Sequence, residues 1–271
     1  MLIVGERINS SRKPIQPAIE SKDVAAIQDI ARRQVQAGAT HIDVNAGTFI
    51  SQEPEYLEWL AQTVQEAVEV PLCIDSPNPE AAERAIEACH KSPLVNSISG
   101  EAKRFSQMLP LLQRYGCSVI ALCMDDGGIP DQAEKRLEIA SRMLEQLEKE
   151  GISRNRVYFD PLIYPISTGS CFGQIALDTI RLIKSSLPGS QIICGLSNIS
   201  HGLPNRKLLN QAFLVMCMAA GLDGVIFDPL DRRMMALLVA SETLLGRDEY
   251  CSLYITAHRE GRLEDQAGQG G

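Results

Sequence analysis

The chain has 271 residues, of which 45% are hydrophobic, and its formal net charge is −8. This length fits one large α/β domain, although two smaller domains are possible on length alone. The acidic balance argues against nucleic acid as the main ligand, because a phosphate backbone requires a basic surface. The chain has no run of ~18 apolar residues, so no membrane span is predicted. The N-terminus shows no secretory signal, so a cytoplasmic protein is expected.

Short apolar runs alternate along the chain with segments of helical periodicity. Each run is continuously apolar, which is typical of parallel strands covered on both faces. The eight predicted strands cover residues 2–9, 41–45, 71–75, 93–96, 118–124, 157–160, 192–198 and 224–228. The eight predicted helices begin near residues 24, 57, 79, 105, 131, 175, 209 and 231. Start signals for four of them are Asp23, Asn78 before Pro79, the pair Asp131 and Glu134 as a capping box, and Asp231.

Strict alternation of eight strands and eight helices predicts an α/β protein with a (β/α)₈ TIM barrel. A doubly wound open sheet is the alternative. It would require a glycine-rich phosphate-binding turn after the first strand, and the segment Gly5–Asn9 lacks the GxGxxG spacing. We expect a single barrel over residues 1–254 and a short polar, glycine-rich tail over residues 255–271.

Polar side chains end nearly every predicted strand. Because parallel strands in one barrel bring their C-terminal ends to a single rim, these carboxylates and amides are expected to converge. The candidates are Glu6, Asn9, Asp43, Asn45, Asp75, Asn96, Asp125, Asp160, Ser197, Asn198 and Asp228. Individual members are as consistent with helix caps and loop turns as with a binding site. As a set they suit a flat heterocycle rich in hydrogen-bonding groups, such as a pterin or a purine.

Other kinds of chemistry find little support in the residues. The four histidines lack HxxxH and HExxH spacing, and the eight cysteines form no CxxC pair, so no metal site is predicted. A carboxylate-bound Mg²⁺ stays open as an alternative. Cys73, Cys123 and Cys194 lie within apolar strands and are predicted core residues. The chain has no GxSxG elbow, so a serine nucleophile is not supported. No lysine ends a predicted strand, which argues against a Schiff-base aldolase.

Seven short motifs at the strand ends carry a family resemblance. They are Val4–Asn9, Asp43–Asn45, Cys73–Ser76, Val95–Ser97, Asp160–Leu162, Gly195–Asn198 and Asn205–Arg206. Together they resemble the pterin-binding corrinoid methyltransferases. The likeness is to the methyltetrahydrofolate:corrinoid/iron–sulfur protein methyltransferases and to the second methyltransferases of anaerobic demethylase systems. It runs from Met1 to about Tyr254 and implies a barrel similar to that of dihydropteroate synthase.

The resemblance implies methyl transfer between N5 of methyltetrahydrofolate and the cobalt of a corrinoid (cobalamin) carried by a separate corrinoid protein. It also implies a homodimer, with tetrahydrofolate or 5-methyltetrahydrofolate as substrate. By position, the residues expected to contact the pterin are Asp75, Asn96, Asp160, Gly195, Ser197, Asn198, His201 and Arg206. Asn198 would lie beside N5 as the catalytic residue. Arg206 would face the aminobenzoyl-glutamate end or the pterin.

The nature of the leaving group predicts what Asn198 does. Departure of N5 as an anion is unfavourable, so a hydrogen bond or proton delivered to N5 lowers the barrier to methyl transfer. Since an amide cannot release a proton, the expected role of Asn198 is electrostatic. The acidic loop 124–130 is a candidate contact with the corrinoid protein.

Two alternative functions stay open. One is a dihydropteroate-synthase-like transferase, although the chain has no matching basic loop for a pyrophosphate leaving group. The other is a non-catalytic folate-binding or corrinoid-docking module. The sequence fixes neither the direction of net methyl flux nor the identity of the corrinoid protein and the original methyl donor.

Overall fold

A computed structural model describes residues 1–264 as a closed barrel of eight parallel strands. Neighbours in the chain pair in order, and β8 pairs with β1 to close the barrel. The strands are β1 Leu2–Asn9, β2 His41–Asn45, β3 Leu72–Asp75, β4 Leu94–Gly100, β5 Ser118–Asp125, β6 Val157–Asp160, β7 Gln191–Gly195 and β8 Gly224–Phe227. The predicted (β/α)₈ fold is therefore confirmed.

Eight helices follow the eight strands, and the described residues hold two more. The ten are α1 Gln16–Glu20, α2 Val24–Gln36, α3 Glu53–Gln65, α4 Pro79–Glu87, α5 Ala102–Tyr115, α6 Ala133–Lys149, α7 Phe172–Ser186, α8 Arg206–Ala220, α9 Arg232–Leu244 and α10 Ser252–Arg259. Short 3₁₀ helices cover Arg154–Arg156, Leu196–Ser200 and Glu249–Cys251. The prediction of eight helices missed α1, which is too short to show a period, and α10.

Three of the four predicted helix starts are confirmed. The side chains of Asp23, Asn78 and Asp231 accept backbone N–H groups of the first turns of α2, α4 and α9. The capping box of Asp131 and Glu134 is wrong. Helix α6 begins one residue later than that motif requires, with Gln132 at the cap position and no side-chain cap bond.

The C-terminal boundary also differs from the sequence-based expectation. The expected end of the barrel domain, Tyr254, lies inside α10, which continues to Arg259. The rest of the expected tail beyond residue 264 lies outside the described residues. No helix within residues 1–264 is long and apolar enough to cross a membrane.

The core has two parts. A small cluster inside the barrel contains Val4, Cys73, Leu94, Ile120 and Ile193. A larger one fills the space between the strands and the surrounding helices. Cys73, Cys123 and Cys194 are fully buried, as predicted. The inner cluster closes the barrel interior, so a ligand site has to lie above it at the strand ends.

Position 5 requires glycine, because β1 and α2 approach each other so closely there that a side chain would not fit. A Cβ at this position would lie 2.5 Å from Oε1 of Gln34, which is fully buried. That same oxygen accepts the backbone N–H of Arg7 at 3.0 Å. The side chain of Gln34 therefore secures the upper half of β1, next to the candidate residues at its end.

We expect Gly5→Ala to lower the free energy of unfolding by about 1–3 kcal/mol, because the new methyl displaces Gln34 and leaves a buried N–H unpaired. Gly173→Ala is the matched control. A Cβ there would have its nearest neighbour, in Ile166, at an ordinary 3.6 Å, so the change is neutral or stabilising by up to about 1 kcal/mol. Urea unfolding of both variants checks this, and equal stabilities would refute it.

Candidate active site

A ring of polar residues lies directly above the inner apolar cluster. Side chains two positions apart on a strand share a face. Six strands each contribute one residue to the inner cluster or its surroundings: Val4, Cys73, Leu94, Tyr158, Ile193 and Ile226. The residues two positions further along the same strands are, in the same order, Glu6, Asp75, Asn96, Asp160, Gly195 and Asp228. The fold therefore brings these predicted residues to one mouth. Asp43 and Asn45 join them from β2.

Asn45 holds Asp75 in place. Its Nδ2 donates to Oδ2 of Asp75 at 3.0 Å and to the Asp75 carbonyl at 3.2 Å. Its Oδ1 accepts from Ser10 Oγ at 3.2 Å and from the backbone N–H of Gly47 at 3.0 Å. The Asn45 amide is thus fully used, so it positions Asp75 and the loop after β1 rather than offering groups to a ligand.

Asp43 and Asp75 form a buried carboxyl pair. Burial, reinforced by the charges of Asp75 and Glu6, raises the pKa of Asp43 well above its usual range. Its Oδ1 has no hydrogen-bond partner within residues 1–264. Burial also raises the pKa of Asp75 to about 6, against the Asn45 hydrogen bond and the charge of Arg104. Burial therefore makes both carboxyls harder to ionise than an exposed aspartate.

Asp160 forms the opposite side of the mouth. It is 9% exposed, and its Oδ1 accepts the backbone N–H of Leu162 at 2.7 Å. Burial raises the pKa of Asp160 to about 6, and the backbone N–H groups of Leu162 and Gly195 and the charge of Arg136 oppose that rise.

Arg136 fixes the loop that carries Asp160. Its side chain is buried, and Nη1 donates to the carbonyls of Pro161 at 2.6 Å and Leu162 at 2.8 Å. Nε donates to the carbonyl of Pro130 at 2.8 Å. One buried cation therefore joins the loops that follow β5 and β6.

Asn198 lies on the 3₁₀ turn that follows β7. Its side chain is exposed, and its Nδ2 lies 3.5 Å from the place a Cβ of Gly195 would occupy. Within the described part of the chain its amide forms no hydrogen bond, so it is available to a ligand in the mouth. Arg206 braces the turn from behind, donating to the Ser197 carbonyl at 2.7 Å and to Ser200 Oγ at 3.0 Å.

Other predicted rim residues bind neighbouring protein groups. Glu6 pairs with Arg12, and Asp228 pairs with Arg7 at 2.7 Å. Burial raises the pKa of Glu6, which the charge of Arg12 opposes. Asn9 accepts from the backbone N–H and the hydroxyl of Ser11, so it shapes a turn.

Asn96 and His201 lie at different depths. Asn96 is half-buried and pairs in register with Asp75, within reach of the same ligand edge. His201 is exposed, and its backbone carbonyl accepts Ser167 Oγ at 2.7 Å. Asp125, in the acidic loop, pairs with Arg142. No group of three or more possible metal ligands occurs among residues 1–264.

Comparison with known proteins identifies the family. The pterin binding enzyme family matches residues 5–228. The chain belongs to the pterin-binding enzyme family.

Among its relatives is a methylcorrinoid:tetrahydrofolate methyltransferase of Eubacterium limosum, 42% identical over 97% of this chain and 98% of that protein. A methionine synthase of Mycobacterium tuberculosis is 29% identical over 83% of this chain but only 20% of its own length. Among solved structures, the dihydropteroate synthase of Yersinia pestis superposes with a TM-score of 0.66 at 14% identity, covering 89% of this chain and 93% of that one. At such identity the structural likeness shows the fold alone.

A pterin matches the donors and acceptors of this mouth. The 2-amino group and ring N–H of a pterin are donors, and the carboxylates of Asp75 and Asp160 are acceptors. The Asn96 amide both donates and accepts, so it suits the mixed part of the edge. The N–H groups of a pterin could thus take the place of water at the two carboxylates, so that the carboxylates lose hydration at little cost in free energy.

Three supporting residues were missed by sequence reasoning: Glu53, Arg104 and Arg136. Glu53 is buried and accepts Ser76 Oγ at 2.6 Å. Arg104 donates to the Ser97 carbonyl at 3.1 Å beside Asn96. Only Arg136 could have been found from the sequence. It occupies a position between Ala133 and Ala140 on the face of α6 that the three- and four-residue spacing predicts to be apolar, where a charged residue is unexpected.

We expect the raised pKa of Asp160 to appear in the stability of the protein. The folded chain holds this proton more tightly than the unfolded chain, whose aspartate pKa is about 3.9, so the free energy of unfolding falls as pH rises from about 4 to about 6. Asp160→Asn removes this contribution, on the order of 2 kcal/mol, while its Oδ1 can still accept the Leu162 N–H. Urea unfolding of the wild type and of Asp160→Asn at pH 4 and pH 7 measures how much the free energy of unfolding changes with pH in each protein. An equal change in the two proteins would contradict the account.

Proposed function

We propose that this protein transfers a methyl group between a methylated corrinoid, carried by a partner protein, and N5 of tetrahydrofolate. The observation that supports the proposal is the set of Asp75, Asn96 and Asp160 on β3, β4 and β6, with Asn198 on the turn that follows β7. The near full-length likeness to the Eubacterium limosum methyltransferase supports it.

The reaction balances without a nucleophile from the protein. In one direction, the lone pair of N5 attacks the methyl carbon, the cobalt–carbon bond breaks, and its electron pair stays on cobalt as cobalt(I). The N5 proton of tetrahydrofolate leaves to solvent or to a neighbouring base. In reverse, cobalt(I) attacks the methyl carbon and N5 departs with the electron pair, which requires a proton or a strong hydrogen bond.

In this proposal Asn198 acts on N5. Its side-chain amide lies next to Gly195 and forms no hydrogen bond with the other described residues. Arg206 holds the turn by donating to the Ser197 carbonyl and to Ser200 Oγ. A preorganised amide stabilises charge developing on N5 without itself giving up a proton. Because the side chain is exposed, a corrinoid on another protein can reach the same side of the pterin.

The pathway and the compartment form part of the proposal. The relative's name gives a methylcorrinoid as donor, the species that results when a corrinoid removes a methyl group from another compound. We therefore propose a role in demethylation, in the cytoplasm, where reduced folates are kept. A dihydropteroate-synthase-like activity has only the fold in its favour.

We expect Asn198→Ala to lower the rate of methyl transfer about 100-fold, because one positioned donor to the transition state is removed, with a much smaller loss of tetrahydrofolate affinity. Asn155→Ala is the matched control, since Asn155 is exposed just before β6, at the other end of the barrel. Visible spectra of methylcobalamin mixed with enzyme and tetrahydrofolate follow the rate. Unchanged transfer by Asn198→Ala would sink the assigned role.

We also propose that the protein is a homodimer formed through a C-terminal apolar patch, which consists of Leu244, Tyr250, Leu253, Tyr254 and Ile255. Leu244 is 86% exposed and Tyr250 is 89% exposed. Neighbouring large apolar side chains with this exposure are typical of protein interfaces. Helix α10, which carries three of them, packs against α9 and so extends the patch.

The double variant Leu244→Asp/Leu253→Asp should be a monomer, because it places two charges in the centre of the patch. Ile50→Asp is the matched control, since Ile50 is 83% exposed but lies after β2, away from the patch. Light scattering after gel filtration gives the masses. A double variant that keeps the wild-type dimer mass would rule out this interface.

A further inference from the structure

A groove leads away from the barrel mouth between the starts of α8 and α9. Its inner part has a volume of about 230 Å³ and is lined among others by Glu6, Ser197, Lys207 and Asp228. Its outer part has a volume of about 590 Å³ and is lined among others by Lys207, Leu208, Arg232 and Arg233. Both parts share Lys207, Leu230 and Asp231. The two parts therefore adjoin at these residues, and the inner part includes Ser197, one of the candidate active-site residues.

The outer part, which we name the outer groove, is basic in a chain whose net charge is −8. Within residues 1–264, Lys207 and Arg232 form no ion pair. The acidic residue facing them is Asp231, whose Oδ1 accepts the backbone N–H of Met234 at 3.1 Å and Nε2 of Gln211 at 3.3 Å. One engaged carboxylate against the cationic side chains of Lys207 and Arg232 leaves the outer groove positive.

We propose that the outer groove binds the poly-γ-glutamate tail of the folate substrate. The inference rests on the proposed function, which places the pterin at the mouth and the aminobenzoyl-glutamate end outside it. Each further γ-linked glutamate adds a carboxylate for Lys207 or Arg232 and a short aliphatic stretch. Leu208, which is 55% exposed, and Leu230 offer apolar surface for those stretches.

The expected gain is moderate and depends on salt. Ion pairs at exposed side chains each strengthen binding a few-fold at most, and ions screen them. With two such contacts, we expect tetrahydrofolate pentaglutamate to bind roughly tenfold more tightly than the monoglutamate at low ionic strength. The gain shrinks as salt is added.

Calorimetric titration of the full chain with both folates tests the site, and the readout is the ratio of the two dissociation constants. Lys207→Gln/Arg232→Gln should bring the ratio close to one. Lys135→Gln/Lys149→Gln removes the same charge from exposed positions on α6 and should keep the wild-type ratio.

The outcomes separate this inference from the function on which it rests. A wild-type protein that binds both folates equally would overturn the tail site and leave methyl transfer standing. A preference for pentaglutamate that survives in Lys207→Gln/Arg232→Gln would also overturn it, since the tail would then follow another path. If neither folate binds, the tail site and the proposed function both fail.

Discussion

Burial of carboxyl groups inside a closed parallel barrel governs this site, because a carboxylate removed from water is costly unless it is paired. Asp75 accepts a hydrogen bond from Asn45, and Asp160 accepts the backbone N–H groups of Leu162 and Gly195. Burial raises the pKa of both carboxyls despite these hydrogen bonds. Further N–H donors from a ligand would favour the ionised carboxylates, so a pterin edge suits the mouth better than an apolar ring does.

Rigid support around the mouth makes this arrangement specific. Gln34, Asn45 and Arg136 each secure a strand end or loop of the mouth, and Asn45 does so by a hydrogen bond to the Asp75 carboxylate itself. Positions held by buried hydrogen bonds cost little reorganisation when substrate binds. Asn198 differs, because its side chain is exposed and forms no hydrogen bond within the described residues, whereas its turn is held by Arg206 and by the backbone N–H of Ile166, which donates to the Ile199 carbonyl at 3.0 Å. The proposed site would thus combine a fixed floor for the pterin with one accessible amide on the side that a bulky partner would approach.

The sequence predicted the barrel because its apolar strand runs alternate strictly with helices, and the shared direction of the strands then placed Glu6, Asp75 and Asp160 on one rim. It could not separate ligand-binding groups from supporting ones. Asn45 and Asn96 are the same residue type at neighbouring strand ends, but only the former spends its amide on protein partners. Glu53 and Arg104 gave no signal, because their contacts with Ser76 and Ser97 form only when the barrel brings strand ends and helices together. The false capping box at Asp131 arose because a local motif says nothing about where tertiary packing starts a helix.

The most direct test is calorimetric titration with tetrahydrofolate of the wild type, Asp160→Asn and Asp125→Asn. Both variants replace a strand-end carboxylate by an amide, but only Asp160 lies in the mouth, whereas Asp125 pairs with Arg142 at the surface. The account predicts that Asp160→Asn weakens binding at least tenfold and that Asp125→Asn binds like the wild type. Equal affinities for all three proteins would contradict the claim that these buried carboxylates hold the pterin.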